Sequence, residues 1–304
     1  MIGYDFENHN QFGLCLATGH QLITALDEIN AINSAFQFGI GLRVYELRKN
    51  SAFDLLNNRH ECFIREGSDR RIYIRGETEM LENGKVRIRP IATRQCWTFE
   101  DLQKVLQEGL KHRNTGIWTI HNQSSRTHAV IEMEIITKDL LNARNNVFER
   151  QSELVPVGKH ATDVYIEEQC RAIIQTNDVK YIPNPDYKLN QECVDAAETT
   201  KAEYESRVNR AEENKHKDFA IAAHTHPCIG GRLVFVDLAG AEFLSGDNGI
   251  GALGTGLKQS PQNQRQGRQI NTDLLALKEV IRARSLGQSR IPYRSSSLTM
   301  VLRE

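Results

Sequence analysis

Residues 232–242 read RLVFVDLAGAE, and no other stretch constrains the fold as tightly. Leu233, Val234, Phe235 and Val236 run directly into Asp237, with Gly240 three residues on and Glu242 beyond it. A run this apolar has no wet face, as expected of an inner strand in a covered parallel sheet. Asp237 then falls at the carboxyl end of the strand, where open α/β sheets bind their ligands.

The remaining periodicities agree with an α/β layered fold. GHQLITALDEINAIN (19–33) has Leu22, Leu26 and Ile29 at helical spacing. GIGLRVYEL (39–47) alternates like a strand, and FDLL (53–56) turns the chain. Short strand-like pieces broken by charge fill 60–95 and suggest a small hairpin region. TFEDLQKVLQEGLKHR (98–113) is a helix whose Thr98 and Asp101 form a capping box, with Leu102, Val105, Leu106 and Leu110 as its buried stripe. HAVIEMEIIT (128–137) alternates Ile131, Met133 and Ile135 with Glu132 and Glu134, which predicts one buried and one wetted face. QINTDLLALKEVIRARS (269–285) is a long helix with Ile270, Leu274, Leu277 and Ile281 facing the core.

Residues 146–228 interrupt this texture. NVFERQSELVPVGKH reads as loop, YIPNPDYKLN is rich in turn formers, and the charged stretch after it is an exposed helix with a thin apolar stripe. The chain therefore divides into a core part over 1–145, a polar, partly helical surface insertion over 146–228, and a second core part over 229–304. No coiled-coil segment is apparent. GHQLITALDEINAIN begins almost at once, and SSSLTMVLRE (295–304) opens like a capped helix and stops, so both ends look cut.

Composition narrows the partners. The 304 residues carry a formal net charge of −1, which singles out neither nucleic acid nor membrane. Six dispersed Cys without a CxxC pair fit reduced thiols in a cytosolic protein. No apolar run approaches the ~18 residues of a membrane span. His224, His226 and Cys228 in HTHPC are a weak metal signal without a second ligand pair.

Two constellations can carry chemistry. HNQSSRTH (121–128) places Ser124, Ser125, Arg126 and His128 before a strand. Hydroxyls can complete a Mg²⁺ shell or donate to phosphate, and the bland alternative is a polar turn capping the strand. Asp237 to Glu242 supplies a carboxylate for a hydrated hard cation and a glycine, Gly240, whose backbone N–H a phosphate can approach.

Together the two stretches resemble the switch regions of the kinesin motor domain. LRVYELRKNSAFDLL (42–56), QINTDLLALKEVIRA (269–283) and IPYRSSSLTMVLRE (291–304) resemble further segments of that family in the same order. LLALKE is most like the internal-motor, microtubule-depolymerising subfamily, although Val280 stands where that subfamily has Cys. The resemblance implies a partial P-loop NTPase fold, a central mixed sheet flanked by helices, with ATP and Mg²⁺ as cofactors. It implies that Ser124 and Ser125 contact Mg²⁺, the γ-phosphate and the lytic water, and that Arg126 pairs with Glu242. Asp237 would hold Mg²⁺ through water, as Ser125 also serves the metal, and Gly240 would sense the γ-phosphate. Such parts act by positioning and electrostatics, and their order–disorder change is the switch.

The chain departs from the family at His121, Thr127, Ser295 and Ser297. It contains no G-x-x-x-x-G-K-[ST], and the nearest decoy, GALGTGLKQS (251–260), has Leu257 in the Lys position and lies in the switch II loop. The expectation is a chain beginning just past the phosphate loop, without the first strands of the sheet and inactive as an ATPase alone. An incomplete gene product and a non-catalytic, track- or partner-binding pseudo-motor are both compatible with that gap. Residues 258–304 hold nine Lys and Arg against three acids. The resemblance points this face at acidic microtubules through Lys258, Arg265, Arg268, Lys278, Glu279, Arg282, Arg290 and Arg294. It implies a cytoplasmic, cytoskeletal location.

Overall fold

The computed structural model describes residues 8, 11–32, 36–67, 69–113, 127–175, 181–240 and 261–303, with backbone only at 175 and 261–264. The chain forms two compact units. One comprises 1–77, 90–135 and 230–304, and the other 78–89 and 136–229.

The first unit holds most of a sheet. The sheet's strands are β1 (Phe38–Arg48), β2 (Ser51–Asp54), β3 (His60–Glu66), β4 (Ile72–Met80), β5 (Val86–Pro90), β6 (Arg94–Cys96), β7 (His128–Thr137) and β10 (Arg232–Asp237). Of these, β5 up to Arg89 and the last residues of β4 and β7 fall in the second unit. The order is β10-β7-β1-β2-β3-β4-β5, and β6 pairs antiparallel with the first half of β1, from Ile40↔Cys96 to Leu42↔Arg94. β1 is buried along nearly its whole length because both of its faces are covered.

On one face lie α1 (Leu14–Ile32) and α2 (Phe99–Lys111). Thr98 caps α2 with the expected reciprocal box, its side chain accepting from the Asp101 N–H while Asp101 accepts from the Thr98 N–H. The absence of a side chain at Gly19 brings α1 onto α2: a Cβ there would sit 2.6 Å from Leu102 Cδ2. On the other face Tyr45, Leu47, Ala52, Cys62, Ile91 and Val130 pack with Leu298 of α6 (Ser297–Val301) and with Leu277 of α5 (Pro261–Ser285). Ser296 caps α6 with its own box to Thr299. Asp54 ends β2 by accepting from the N–H of Leu56 at 3.0 Å and of Ala92 at 2.7 Å, which fixes the turn that follows.

Three expectations are corrected here. Among the described residues β10 ends the sheet, antiparallel to β7, and Leu233 and Val234 are 41% and 46% exposed, so it does not pair there as an inner strand of a parallel sheet. Conversely β7 is covered on both faces. Glu132 is not wetted but takes the Tyr45 hydroxyl at 2.6 Å and Arg43 at 3.5 Å, and Glu134 lies 3.8 Å from the same guanidinium. Alternation with Glu mimicked a solvent face because these carboxylates are satisfied internally. In α5 the buried stripe is Ile270, Asp273, Ala276, Val280 and Ala283, while Ile281 is exposed. Ile270 is buried and Leu277 packs against the core as their spacing suggests, but the rest of the buried flank uses small residues and an acid, and Ile281 falls outside it.

The second unit is a helical hairpin. α3 (Lys138–Ala172) and α4 (Gln191–Thr225) are 35 residues each, joined through the two-stranded β8 (Ile173–Gln175) and β9 (Tyr181–Pro183). NVFERQSELVPVGKH is thus helix, not loop. The pair is an antiparallel coiled coil in miniature. Leu140, Val147, Leu154, Ala161 and Glu168 recur every seven residues on α3, as do Val194, Lys201, Val208 and Lys215 on α4. Charged residues and alanines in these seams, together with Pro156, hide the heptads from inspection. Glu168 is buried and accepts from the Tyr187 hydroxyl at 2.6 Å and the Asn190 N–H at 3.0 Å, which secures the return of the chain into α4. Lys85, between β4 and β5, bonds Glu149 and Glu153 of α3 at 2.9 and 3.0 Å. Among the described residues no helix is long and apolar enough to cross a membrane.

Candidate switch site at the end of β7 and β10

Antiparallel pairing sets Asp237, the last residue of β10, opposite Ala129 near the start of β7. Thr127, just before β7, and Leu238 to Gly240, just after β10, therefore lie at one end of the sheet. There Asp237, whose side chain is about one-third exposed (35%), accepts a short charge-assisted bond from Arg113 Nη1. The other arm of Arg113 donates to the Thr127 carbonyl at 3.2 Å. Arg113 follows α2 and is itself nearly buried, with 8% of its side chain exposed.

His128 lies behind this pair. Its Nδ1 accepts the backbone N–H of Ala239 at 3.2 Å, which leaves the proton on Nε2. Nε2 has no hydrogen-bond partner among the described residues, and Asp273 Oδ2 of α5 is 3.8 Å away. Burial, reinforced by the Arg113 charge, holds the imidazole down at about 4, so it is neutral at physiological pH. Burial raises the Asp273 carboxyl above its ordinary range. One neutral imidazole thus lies between the segment leaving β10, to which it is hydrogen-bonded, and α5, which it approaches without a bond.

Thr127 is fixed from below. Its hydroxyl donates to Glu46 Oε2 at 2.8 Å, and Glu46, fully buried in β1, also takes Arg59 Nε at 2.6 Å. Arg59 adopts a left-handed backbone (φ 58°) and stacks on Phe53 at 4.7 Å.

Of the residues singled out from sequence, Asp237 and Gly240 are placed at this end of the sheet, with Gly240 exposed. Ser124, Ser125, Arg126, Glu242 and Lys258 lie outside the described residues. Arg265, Arg268, Lys278, Glu279, Arg282 and Arg290 are exposed along and after α5. Arg294 is instead engaged: its Nε and Nη2 bond Glu66 at 2.8 Å each, and Arg303 joins them at 3.0 Å. Arg113, Glu46 and Asp273 escaped sequence reasoning. Each is a lone charge within an ordinary helix or strand pattern, and only the fold brings them to the switch residues.

A Mg²⁺ ion keeping its water shell and meeting one carboxylate through water fits Asp237. Among the described residues no group of three or more His, Cys, Asp or Glu is placed to hold a metal.

A family model for the kinesin motor domain matches residues 1–158 and 139–304, and the chain belongs to that family. Kinesin-like protein KIN-13A of Oryza sativa subsp. japonica is 26% identical over 267 residues, covering 88% of this chain and 21% of the relative. Kinesin-like protein KIN-13B of Arabidopsis thaliana is 45% identical over 78 residues, 26% of this chain and 10% of the relative. Kinesin-like protein KIF24 of Homo sapiens is 23% identical over 265 residues, 87% of this chain and 11% of the relative. The chain thus spans a tenth to a fifth of the length of these curated relatives. A solved structure described as that of a fast kinesin aligns over 100% of this chain and 55% of its own, at 16% identity and a TM-score of 0.48.

Proposed function

We propose that this chain carries the nucleotide-switch and track-binding parts of a microtubule motor. The observation behind this reading is the position of His128, which accepts the Ala239 N–H from the segment after Asp237 and lies 3.8 Å from Asp273 on the helix bearing Lys278 and Arg282. A γ-phosphate that moves the residues after Asp237 would move a group that rests on α5, and so change how that helix presents its basic face. In this reading Asp237 holds Mg²⁺ through water together with Ser125, Gly240 senses the γ-phosphate, Ser124 positions the lytic water, and Arg126 latches onto Glu242. Lys258, Arg265, Arg268, Lys278, Arg282 and Arg290 meet acidic tubulin, with Glu279 between them. The KIN-13 relatives and the LLALKE hexapeptide favour depolymerisation over directed movement, and a cytoplasmic, microtubule-associated location follows from that activity.

Microtubule co-sedimentation tests the reading. Lys278→Ala with Arg282→Ala should weaken binding several-fold, more at low salt than at high salt. Unchanged binding would sink the assignment of α5 as the track face.

A second reading, a track-binding pseudo-motor, is favoured by the Arg113–Asp237 pair and by the lack of any G-x-x-x-x-G-K-[ST] in the sequence. Residues 1–304 should then show no microtubule-stimulated ATPase. Robust turnover abolished by Asp237→Ala would overturn that second reading and leave the first.

A further inference from the structure

The loop between β4 and β5 carries chemistry that the motor reading leaves unused. Glu82, Asn83 and Gly84 form it, and the Leu81 N–H closes it by donating to the Lys85 carbonyl at 2.7 Å. Asn83 and Gly84 both adopt left-handed backbone, at φ 61° and φ 72°. Few residues enter that region readily, so the turn itself calls for Asn-Gly. The same pair has a second property. Glycine has no side chain to shield its nitrogen from the asparagine before it.

The surroundings of Asn83 leave that property unchecked. All three loop residues are exposed. The Asn83 amide makes no hydrogen bond among the described residues. A Cβ at Gly84 would meet nothing within 4 Å, so no described neighbour resists rotation of the peptide between the two. Other asparagines of this unit are held differently. Those inside α3 and α4 precede an N–H that the helix ties down. Asn184 bonds the Arg171 carbonyl and the Asp186 N–H, and Asn190 caps α4.

We propose that Asn83 is a site of self-modification, converting in the folded chain to aspartate and isoaspartate, and that the conversion loosens the tie between this loop and α3. The Gly84 nitrogen gives up its proton and attacks Asn83 Cγ. The bond from Cγ to the side-chain nitrogen breaks, and ammonia leaves with that proton. Water then opens the resulting succinimide. Cleavage at Cγ yields aspartate, and cleavage at the main-chain carbonyl yields isoaspartate. One water enters, one ammonia leaves, and nothing is oxidised or reduced. Isoaspartate runs the main chain through its own Cβ and so adds an atom between Leu81 and Lys85. Lys85 holds Glu149 and Glu153 of α3 at 2.9 and 3.0 Å, and a new carboxylate in the loop it closes competes for its ammonium. The inference stands apart from the motor reading, since it concerns no switch or track residue.

The full chain is aged for days at physiological temperature, at neutral and at mildly alkaline pH, then digested for mass spectrometry. The peptide containing Asn83 should gain the mass of O in exchange for NH, faster in the alkaline sample, and about tenfold faster than the peptides of α3 and α4. Electron-transfer fragmentation should show isoaspartate in the product. Asn248-Gly249, the other Asn-Gly pair of the sequence, falls in a different peptide and is read separately. Amide hydrogen exchange at Lys85 and Val86, and at Glu149 and Glu153, should be several-fold faster in the aged chain than in the fresh one. An aged Asn83→Gln chain should show neither change. No mass gain at Asn83, a gain no faster than at the helical asparagines, a product without isoaspartate, hydrogen exchange indifferent to conversion, or equal loosening in aged Asn83→Gln would each overturn the proposal. If the variant fails to fold, the measurements on the unaltered chain decide.

Discussion

Replacing Glu46 with alanine tests how the start of β7 is held. Glu46 is fully buried in β1, and its carboxylate takes Arg59 on one oxygen and the Thr127 hydroxyl on the other. Truncation leaves both partners behind. Removing one member of a fully buried ion pair costs about 3–5 kcal/mol. Arg59 is 28% exposed and can turn partly to water, which lowers the ion-pair share to about 2 kcal/mol. The orphaned Thr127 hydroxyl adds about 1 kcal/mol. The expected loss is therefore about 3 kcal/mol. With a urea slope near 3 kcal/mol/M, the unfolding midpoint should fall by about 1 M. Trp97 fluorescence suits the measurement, because the Trp97 ring lies against Gly39 of the same strand. A double-mutant cycle with Thr127→Val should show coupling of about 1 kcal/mol. A midpoint shift under ~0.2 M would mean that Arg59 and Thr127 find equal partners elsewhere, and the anchoring argument would fail.

Other perturbations have definite signs. His128 is held at about 4 against an ordinary 6.5, so the unfolded chain binds its proton first as pH falls. That contribution to stability is complete above pH 6.5 and is lost between 6.5 and 4, by about 3 kcal/mol, and His128→Gln should flatten the fall that wild type shows from pH 6.5 to 5. Thr98→Ala removes the α2 capping box and should cost about 1 kcal/mol, a drop of about 2 °C in Tm by calorimetry. Glu66, held down to about 2 by Arg294 and Arg303, competes with any acidic track for those arginines. Glu66→Gln should accordingly tighten microtubule co-sedimentation at low salt, and weaker or unchanged binding would show that Arg294 is not a contact residue.

What could be read from sequence follows a physical divide. The α2 box was legible because capping is local, decided by residues three apart. Family membership was legible because the stretches around Asp237 and Ser125 are compact and ordered along the chain. Faces of strands were not, because burial depends on neighbours that no local pattern names. Glu132 and Glu134 sit inside because Tyr45 and Arg43 arrive from another strand, and RLVFVD lies at the sheet edge although it is the most apolar run near the site. The α3–α4 pairing was masked by Lys201, Lys215 and Glu168 in seam positions, where long side chains cover apolar surface with their stems. Arg113 was invisible as a partner of Asp237 for a simpler reason: 124 residues separate them.

The hairpin's attachment has a consequence for how such a chain can be altered. The pairing of β7 with the return of the chain extends to Ile135 and Gly230, which are hydrogen-bonded to each other, Gly230 N–H to the Ile135 carbonyl at 2.9 Å, with Ile135 N–H to the Gly231 carbonyl at 3.0 Å. Topologically, β7 and β10 are a β-hairpin whose turn has been replaced by a folded rod. Excising residues 137–228 and closing the gap with a two- to four-residue turn needs no rearrangement of the sheet. The rod is in this sense a cassette, exchangeable for a reporter or another module whose termini lie equally close together, with the strand register acting as the socket.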